Sequence, residues 1–433
     1  MRKMKDSGVA WIGEIPLEYQ TVSIGSLFSI KKDIIGHEPE TVLSITQTGI
    51  KPKNLASNEG QIANSYSHYQ IVNVGDFAMN HMDLLTGWVD ISKFDGVTSP
   101  DYRVFTLNDK RMSAEYFLRV FQNYYYNRIF FGFGQGVATL GRWRLPTANF
   151  KKIIVPIPPL PEQDKIVSAI ESSTSKVDAL ISNVQAQIEK LKAYKQSLIT
   201  EVVTKGLDPN VPMRDSGVEW IGKIPKHYDV IRMRYLINNY KAGPFGSALI
   251  TDQLQSDGDI LCYTPEHIAN QSTESNKNLY LPENRRKEMS QFFVSVGDII
   301  FPIVGSLGRA MVITSDMPAG IINQRLAKFS IDAKKMDINY FMWLFAKSSF
   351  FHPFIDLFQR GSIIVNLTKA IIYDMPMIVP PTLEEQKIIA SYLDTKCAEI
   401  DQLIAVKQSK IEKLEQYKRS LIYEYVTGKK EIC

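Results

Sequence analysis

The sequence predicts an α+β protein: two mixed α and β domains in tandem, separated by two long helices packed as an antiparallel coiled coil with pseudo-two-fold symmetry. Three observations predict it. A head segment occurs twice, a helical tail occurs twice, and the two middles between them mix strand and helix patterns while sharing almost nothing. The expected serial order is a domain at 1–157, a helix at 158–206, a second domain at 207–379 and a second helix at 380–433.

The head Asp6-Ser-Gly-Val-Ala-Trp-Ile-Gly-Glu-Ile-Pro-Leu-Glu-Tyr19 returns as Asp215-Ser-Gly-Val-Glu-Trp-Ile-Gly-Lys-Ile-Pro-Lys-His-Tyr228, with 10 of 14 positions identical. The tail Ile188–Thr204 returns as Ile411–Thr427, with 12 of 17 identical. The offset is 209 residues at the head and 223 at the tail, so a length difference of 14 lies wholly in the middles. A duplication that keeps its ends and rewrites its middles has one constant job and one job done twice on different targets.

The tails read as helices. Pro161-Glu-Gln-Asp164 places acidic residues in a first turn, where they suit the helix dipole. Apolar residues then follow steps of four and three: Val177, Ile181, Val184, Ile188, Leu191, Leu198 and Val202 in one tail. Ile400, Ile404, Ile411, Leu414, Leu421 and Tyr425 do so in the other. Lysines interrupt this heptad seam at Lys195, Lys407 and Lys418. So narrow a stripe on so long a helix needs a partner. That partner is a copy of the chain or, as the duplication favours, the other tail. Lys205, Gly206 and the prolines Pro209 and Pro212 end the first helix and mark a boundary.

The middles, 20–157 and 229–379, carry strand signals at Val42–Ile45, Gln70–Val74 and Ile299–Phe301, and helix signals at Ala114–Tyr126 and Ile338–Ala346. Both group Lys, Arg, Asn, Gln and Tyr near turns, the side chains that grip phosphates and read base edges. The DNA-contact candidates of the first are Gln47, Lys51, Lys53, Asn54, Tyr66, His68, Tyr69, Asn80, Arg142 and Arg144. Those of the second are Lys241, Tyr263, His267, Asn270, Lys277, Arg285, Arg286, Arg309, Gln324, Arg325 and Arg360. Net charge is only +4, from 50 basic and 46 acidic residues, which permits nucleic-acid binding without requiring it.

Catalytic signatures are missing. The run Phe131-Gly-Phe-Gly-Gln-Gly136 contains G-x-G-x-G, but no helix start follows it and no acidic residue lies about 20 positions on, so a tight turn is expected rather than a cofactor loop. No P-loop is present, and the six histidines show neither metal spacing nor a serine partner. Cys262, Cys397 and Cys433 are odd in number and far apart, which suits inert thiols in a reducing cytosol. No signal-like or membrane-length apolar run occurs, so an intracellular, cytoplasmic protein is expected.

The heads, the tails, and Ile157-Pro-Pro-Leu-Pro-Glu-Gln163 with its twin Val379-Pro-Pro-Thr-Leu-Glu-Glu-Gln386 resemble the specificity subunit of prokaryotic type I restriction–modification systems, across essentially the whole chain. The resemblance implies two target-recognition domains, each reading one half of a bipartite asymmetric DNA site. It implies helices that set half-site spacing and dock two methyltransferase subunits, with restriction–translocase subunits joining the full complex. It also implies a non-catalytic chain without cofactors of its own, with S-adenosylmethionine, ATP and Mg held by the partners. Thr382, the extra residue in the second entry element, is expected to shift that helix start slightly.

Overall fold

A computed structural model describes residues 2–54, 63–136, 143–245, 248–249, 251–275, 277–304, 308–348, 350–356 and 367–432. Two compact units emerge, 1–185 with 408–433, and 186–407. These do not follow the serial boundaries expected from the sequence, because each unit takes half of each long helix.

The first long helix is Leu160–Lys205, 46 residues, and the second is Leu383–Val426, 44 residues. At a rise of about 1.5 Å per residue these are roughly 69 and 66 Å long. Inside the first unit Asp178 meets Lys418 at 2.7 Å and the Ser173 hydroxyl meets that of Tyr425 at 3.1 Å. Inside the second, Lys195 meets Asp401 at 2.6 Å and Lys407 donates to Gln187 at 2.5 Å. One number rises as its partner falls, so the pairing is antiparallel and the partner is the other tail of the same chain. Val177, Val184, Ile188, Ile400, Ile411 and Leu421 are buried, and Ile181, Leu191, Leu198, Ile404 and Leu414 are half-buried.

Each unit repeats one plan. The head is a two-stranded ribbon, Met4–Asp6 on Glu14–Pro16 or Met213–Asp215 on Lys223–Pro225. Its chain continues into a strand that pairs with the strand leading to the long helix: Gln20–Ser23 with Ile154–Ile157, and Asp229–Arg232 with Pro376–Val379. Between them lies a four-stranded antiparallel sheet. In the first unit its order is Phe28–Lys31, Arg103–Leu107, Phe77–Met79, Val89–Ile91, and in the second Ile237–Ala242, Leu326–Ile331, Asp298–Pro302, Met311–Val312. The helix Ala114–Tyr126, or Ile338–Met342 running on as a wider turn to Lys347, covers it with Phe117 and Phe121, or Phe341 and Phe345.

Three pairs of twin residues explain why the ends of the repeat stay alike. The buried Gln163 accepts from the Ser113 backbone N–H at 2.8 Å and donates to the Pro158 carbonyl; Gln386 accepts from Asp337 N–H at 2.7 Å and donates to Pro380. Ser113 and Asp337 are the N-caps of the domain helices, so the last residue of the Pro-Pro element fixes where each domain helix begins. Tyr19 donates to Glu162 at 3.2 Å and Tyr228 to Glu385 at 2.8 Å, linking head to helix start. Tyr116 donates to the carbonyls of Pro156 and Val426, and Tyr340 to those of Ile378 and Val203. Each domain helix is thereby tied to the end of the long helix that arrives from the other half of the sequence.

That arriving end turns away at a glycine. Gly206 and Gly428 have φ of +73° and +71°, and a Cβ there would lie 2.5 Å from the Tyr228 hydroxyl and 2.8 Å from the Tyr19 ring. Thr382 does not displace the second helix relative to its Glu-Gln pair. Both helices start two residues before the glutamate, and the Thr382 hydroxyl accepts the Glu385 backbone N–H at 3.2 Å.

Candidate nucleic-acid interface

The first domain carries a groove of about 740 Å³. One wall is the hairpin Leu43–Thr46 and Gly49–Pro52, continuing through Lys53 and Asn54; the other comes from 80–83 and 99–102, with Tyr69 between. Of the residues proposed from sequence, Lys51, Lys53, Asn54, Tyr69 and Asn80 line it together.

Side chains buried behind the groove hold its backbone still. The Gln70 amide donates to the carbonyls of Ser99 and Tyr102, both at 2.7 Å, and so shapes one wall. Asp90 accepts from the Ile50 N–H at 3.1 Å and anchors the hairpin to the sheet. A Cβ at Gly49 would come within 2.7 Å of that carboxylate, so only glycine lets the hairpin seat. Tyr125 donates to the Asn80 carbonyl at 2.7 Å, and Asp83 gathers the Leu85 and Thr86 N–H groups and the Thr86 hydroxyl, which hold its carboxyl below its usual range.

Under the 80–83 loop lies a cationic cluster. Arg103 is 3% exposed, donates to the Leu145 carbonyl at 2.9 Å and stacks 4.4 Å from the Phe150 ring centre. Burial brings its guanidinium down to about 10. His81 is neutral, its imidazole pushed down to about 3 by burial and then by Arg103 and Arg144. The basic character of this edge therefore comes from arginine, and protonating His81 would add a buried charge beside two others.

The remaining first-domain candidates are dispersed. Gln47 is exposed and donates to the Thr86 carbonyl at 3.2 Å; His68 is exposed. Tyr66 is buried edge-on to Tyr69. Arg144 is exposed, its backbone paired both ways with Gln135, and Arg142 lies outside the described residues. The glycine run nearby is a turn after the short helix Ile129–Gly132. A Cβ on Gly134 would strike the Trp143 indole at 2.4 Å, which accounts for that glycine by packing.

In the second domain several of the candidates are internal braces. Tyr263 is fully buried and donates to the Pro318 carbonyl at 2.7 Å. His267 is also buried. Its Nδ1 accepts from the Thr264 backbone N–H at 2.9 Å and its Nε2 lies 2.8 Å from the Asn278 amide oxygen, which orients the ring. Arg285 is locked by Gln253, the Ala248 carbonyl and Glu288. These three were expected on a DNA-facing surface and instead hold the domain together. Tyr263 sits on Leu261–Tyr263, a strand paired in parallel with Gly320–Ile322 inside a separate apolar cluster. Arg286 pairs with Glu283 over the Phe293 ring, and Lys241 reaches Gln291 over Phe292. Asn270, Lys277, Arg309 and Arg325 are exposed, Gln324 is half-buried, and Arg360 lies outside the described residues.

Sequence reasoning missed the residues that shape the groove, Gln70 and Asp90, and the wall residues Met82, Ser99, Asp101 and Tyr102. The two middles do share one short sequence, Val74-Gly-Asp76 and Val296-Gly-Asp298. Each aspartate is buried, accepts a backbone N–H three residues upstream (Asn73 or Ser295), and pairs with a lysine, Lys31 at 2.6 Å and Lys328 at 2.8 Å. Among the described residues no three His, Cys, Asp or Glu side chains cluster as metal ligands, and no helix is long and apolar enough to cross a membrane. Burial pushes the Cys262 thiol up to about 12.

The family model of the type I restriction modification DNA specificity domain matches residues 16–190 and again 244–416. The type I restriction enzyme MjaVIII specificity subunit of Methanocaldococcus jannaschii is 24% identical over 284 residues, covering 65% of this chain and 63% of that relative, just under two thirds of its length. The putative type I restriction enzyme MjaX specificity subunit of the same organism is 22% identical over 433 residues, 96% of this chain and 95% of the relative. Among solved structures, a chain from a study of complex assembly and conformational transition of the type I R-M system superposes with a TM-score of 0.66 at 14% identity, covering 95% of this chain and 98% of the other. The HsdS subunit from Thermoanaerobacter tengcongensis gives 0.50 at 15%, covering 96% and 98%.

Proposed function

The chain belongs to the type I restriction modification DNA specificity family, and from that premise we propose that it is the sequence-reading subunit of a methylating and restricting complex. Each domain reads one half of a bipartite, asymmetric DNA site. The long helices set the separation of the halves and dock two methyltransferase subunits. The chain performs no chemistry itself; S-adenosylmethionine, ATP and Mg belong to the methyltransferase and restriction subunits.

One observation supports this reading above others: the same tyrosine, glutamate and glutamine contacts frame both units, while the surfaces beyond the frame differ. A constant frame suits identical partners, and two rewritten surfaces suit two different half-sites. The groove of the first domain has the composition such reading needs, with Lys51 and Lys53 for phosphates, and Asn54, Asn80 and Tyr69 for base edges or sugars.

The test is methylation mapping in cells that express the chain with its methyltransferase. A single split motif should be methylated, and exchanging residues 20–157 for the corresponding domain of a relative should change one half of it only. An unchanged motif after the exchange sinks the assignment of reading to this domain.

A further inference from the structure

The long helices carry a second apolar feature besides their seam. Leu180 and Tyr417 in the first unit are 50% and 53% exposed, and Leu403 and Tyr194 in the second are 51% and 58% exposed. They are twins at the tail offset of 223, Leu180 with Leu403 and Tyr194 with Tyr417. The exposed Lys190 and Lys413 are twins as well, and each stands four residues before its tyrosine, on the same helix face. Each unit therefore presents one leucine from one helix, one tyrosine from the other, and a lysine beside the tyrosine. The ion pairs Asp178–Lys418, at 2.7 Å, and Lys195–Asp401, at 2.6 Å, bring each leucine and tyrosine to one level.

All four apolar residues stand one position before a seam residue, Ile181, Lys195, Ile404 or Lys418, and in an antiparallel pair that position of both helices falls on one flank. Lys396 bears this out. It lies seven residues before Leu403, on the same stripe, and its ammonium is raised by Glu399 and then by Tyr392 and Tyr194, so Tyr194 shares the flank of Leu403. The recognition domains use the other flank. Arg119 meets Glu171 at 3.2 Å, and the Trp343 indole donates to Asp394 at 3.0 Å; these twin carboxylates follow the buried seam residues Ile170 and Leu393. Single exposed apolar side chains are ordinary. A leucine, tyrosine and lysine repeated at twin positions, on the flank that each unit's own domain leaves bare, ask for a reason.

Two sites with the same side chains suit an occupant present in two identical copies. That occupant offers apolar surface to the leucine and tyrosine and a carboxylate to the lysine. DNA would satisfy the lysines and leave the leucines in water, and a second copy of this flank would set lysine towards lysine. We propose that each unit docks one methyltransferase subunit on this flank, through an apolar patch edged by a carboxylate. The inference rests on the docking role proposed above, and adds that the two sites are separate, each complete within one unit.

The experiment uses the full chain and its methyltransferase without DNA, with native mass spectrometry for stoichiometry and calorimetry for affinity. The unaltered chain should carry two methyltransferases. Leu180→Arg with Tyr417→Arg should leave one, Leu403→Arg with Tyr194→Arg should also leave one, and all four together none, each protein melting as the parent does. Lys413→Glu, a single exposed change, should weaken one of the two binding events by about tenfold or more. Ser182→Arg, four residues beyond Asp178 on the flank of Glu171, should change neither stoichiometry nor affinity. Two methyltransferases bound by the fourfold variant, with affinity within about twofold of the parent, overturn the proposal and leave docking elsewhere on the chain. Loss of DNA binding with methyltransferase binding kept also overturns it, as does a dimer of the free chain that the variants dissolve. If the unaltered chain binds no methyltransferase, the docking reading itself falls.

Discussion

Gln163 and Gln386 show how much of this fold depends on single buried side chains. Each amide uses its oxygen on an N-cap backbone N–H and its nitrogen on a proline carbonyl, and neither residue reaches solvent. Gln163→Leu would strand both partners at a cost of about 1–3 kcal/mol for each buried group left unpaired. Gln163→Glu keeps the acceptor and should fall between, and thermal melting of the three proteins checks the order. His81 makes a prediction of a different kind. Folded, its imidazole titrates at about 3; unfolded, at about 6.5. Between these values the unfolded chain binds a proton that the folded chain does not, so stability falls as pH drops through that window, by up to about 1.4 kcal/mol per pH unit. Urea midpoints measured from pH 7 to pH 4 should fall less steeply for His81→Gln than for the parent chain. Equal slopes would mean that the imidazole is reached by solvent.

At the scale of elements, the two sheets reach one arrangement by different side chains. Asp76 and Asp298 open corresponding strands and hold corresponding loops. Their lysines come from different strands, Lys31 on the edge strand Phe28–Lys31 and Lys328 on the central strand Leu326–Ile331. Position 241 on the second unit's edge strand is also lysine, opposite Lys328 in register, but it turns to Gln291. A buried carboxylate needs a partner, and the fold accepts one from the adjacent strand or from the edge strand beyond it. This explains why the Val-Gly-Asp echo survives while the lysine's place in the sequence does not, and why alignment of the middles fails. The long helices were far more legible, since period and capping are local properties. Lysine interruptions that look like flaws in the seam are used within each unit: Lys195 with Asp401, Lys418 with Asp178, Lys407 with Gln187. Such exposed pairs contribute roughly 0–1 kcal/mol each and serve register more than stability. The groove was the least legible part. Gln70 and Asp90 act through contacts 29 to 40 residues away in sequence, and no local pattern marks a glutamine as the clamp on a distant loop. Tyr263 and His267 looked like readers for the same reason: only the parallel pairing with Gly320–Ile322 reveals that they face inward.

For the whole molecule, the decisive feature is that the first unit is discontinuous in sequence and the second is inserted within it. The first is completed by 408–433 and the second begins inside the first long helix, so each helix passes from one unit to the other near Gln185 and Lys407. A ruler role for the helices can be tested there. Lengthening one helix alone would break the match of Lys195 to Asp401 against that of Asp178 to Lys418, so the insertion must be made in both. One heptad placed after Gln185 and one after Lys407 preserves the seam's period and adds about 10 Å to each helix, at about 1.5 Å per residue. Duplex DNA rises about 3.4 Å per base pair, so the spacer between methylated half-sites should lengthen by about three base pairs. Both half-site sequences should stay as they were, because no residue outside the long helices has changed. Mapping of methylated adenines reads both results in one experiment. An unchanged spacer with methylation retained would remove the ruler role from the helices and leave half-site reading untouched, while a changed half-site would show that the helices contribute to reading itself.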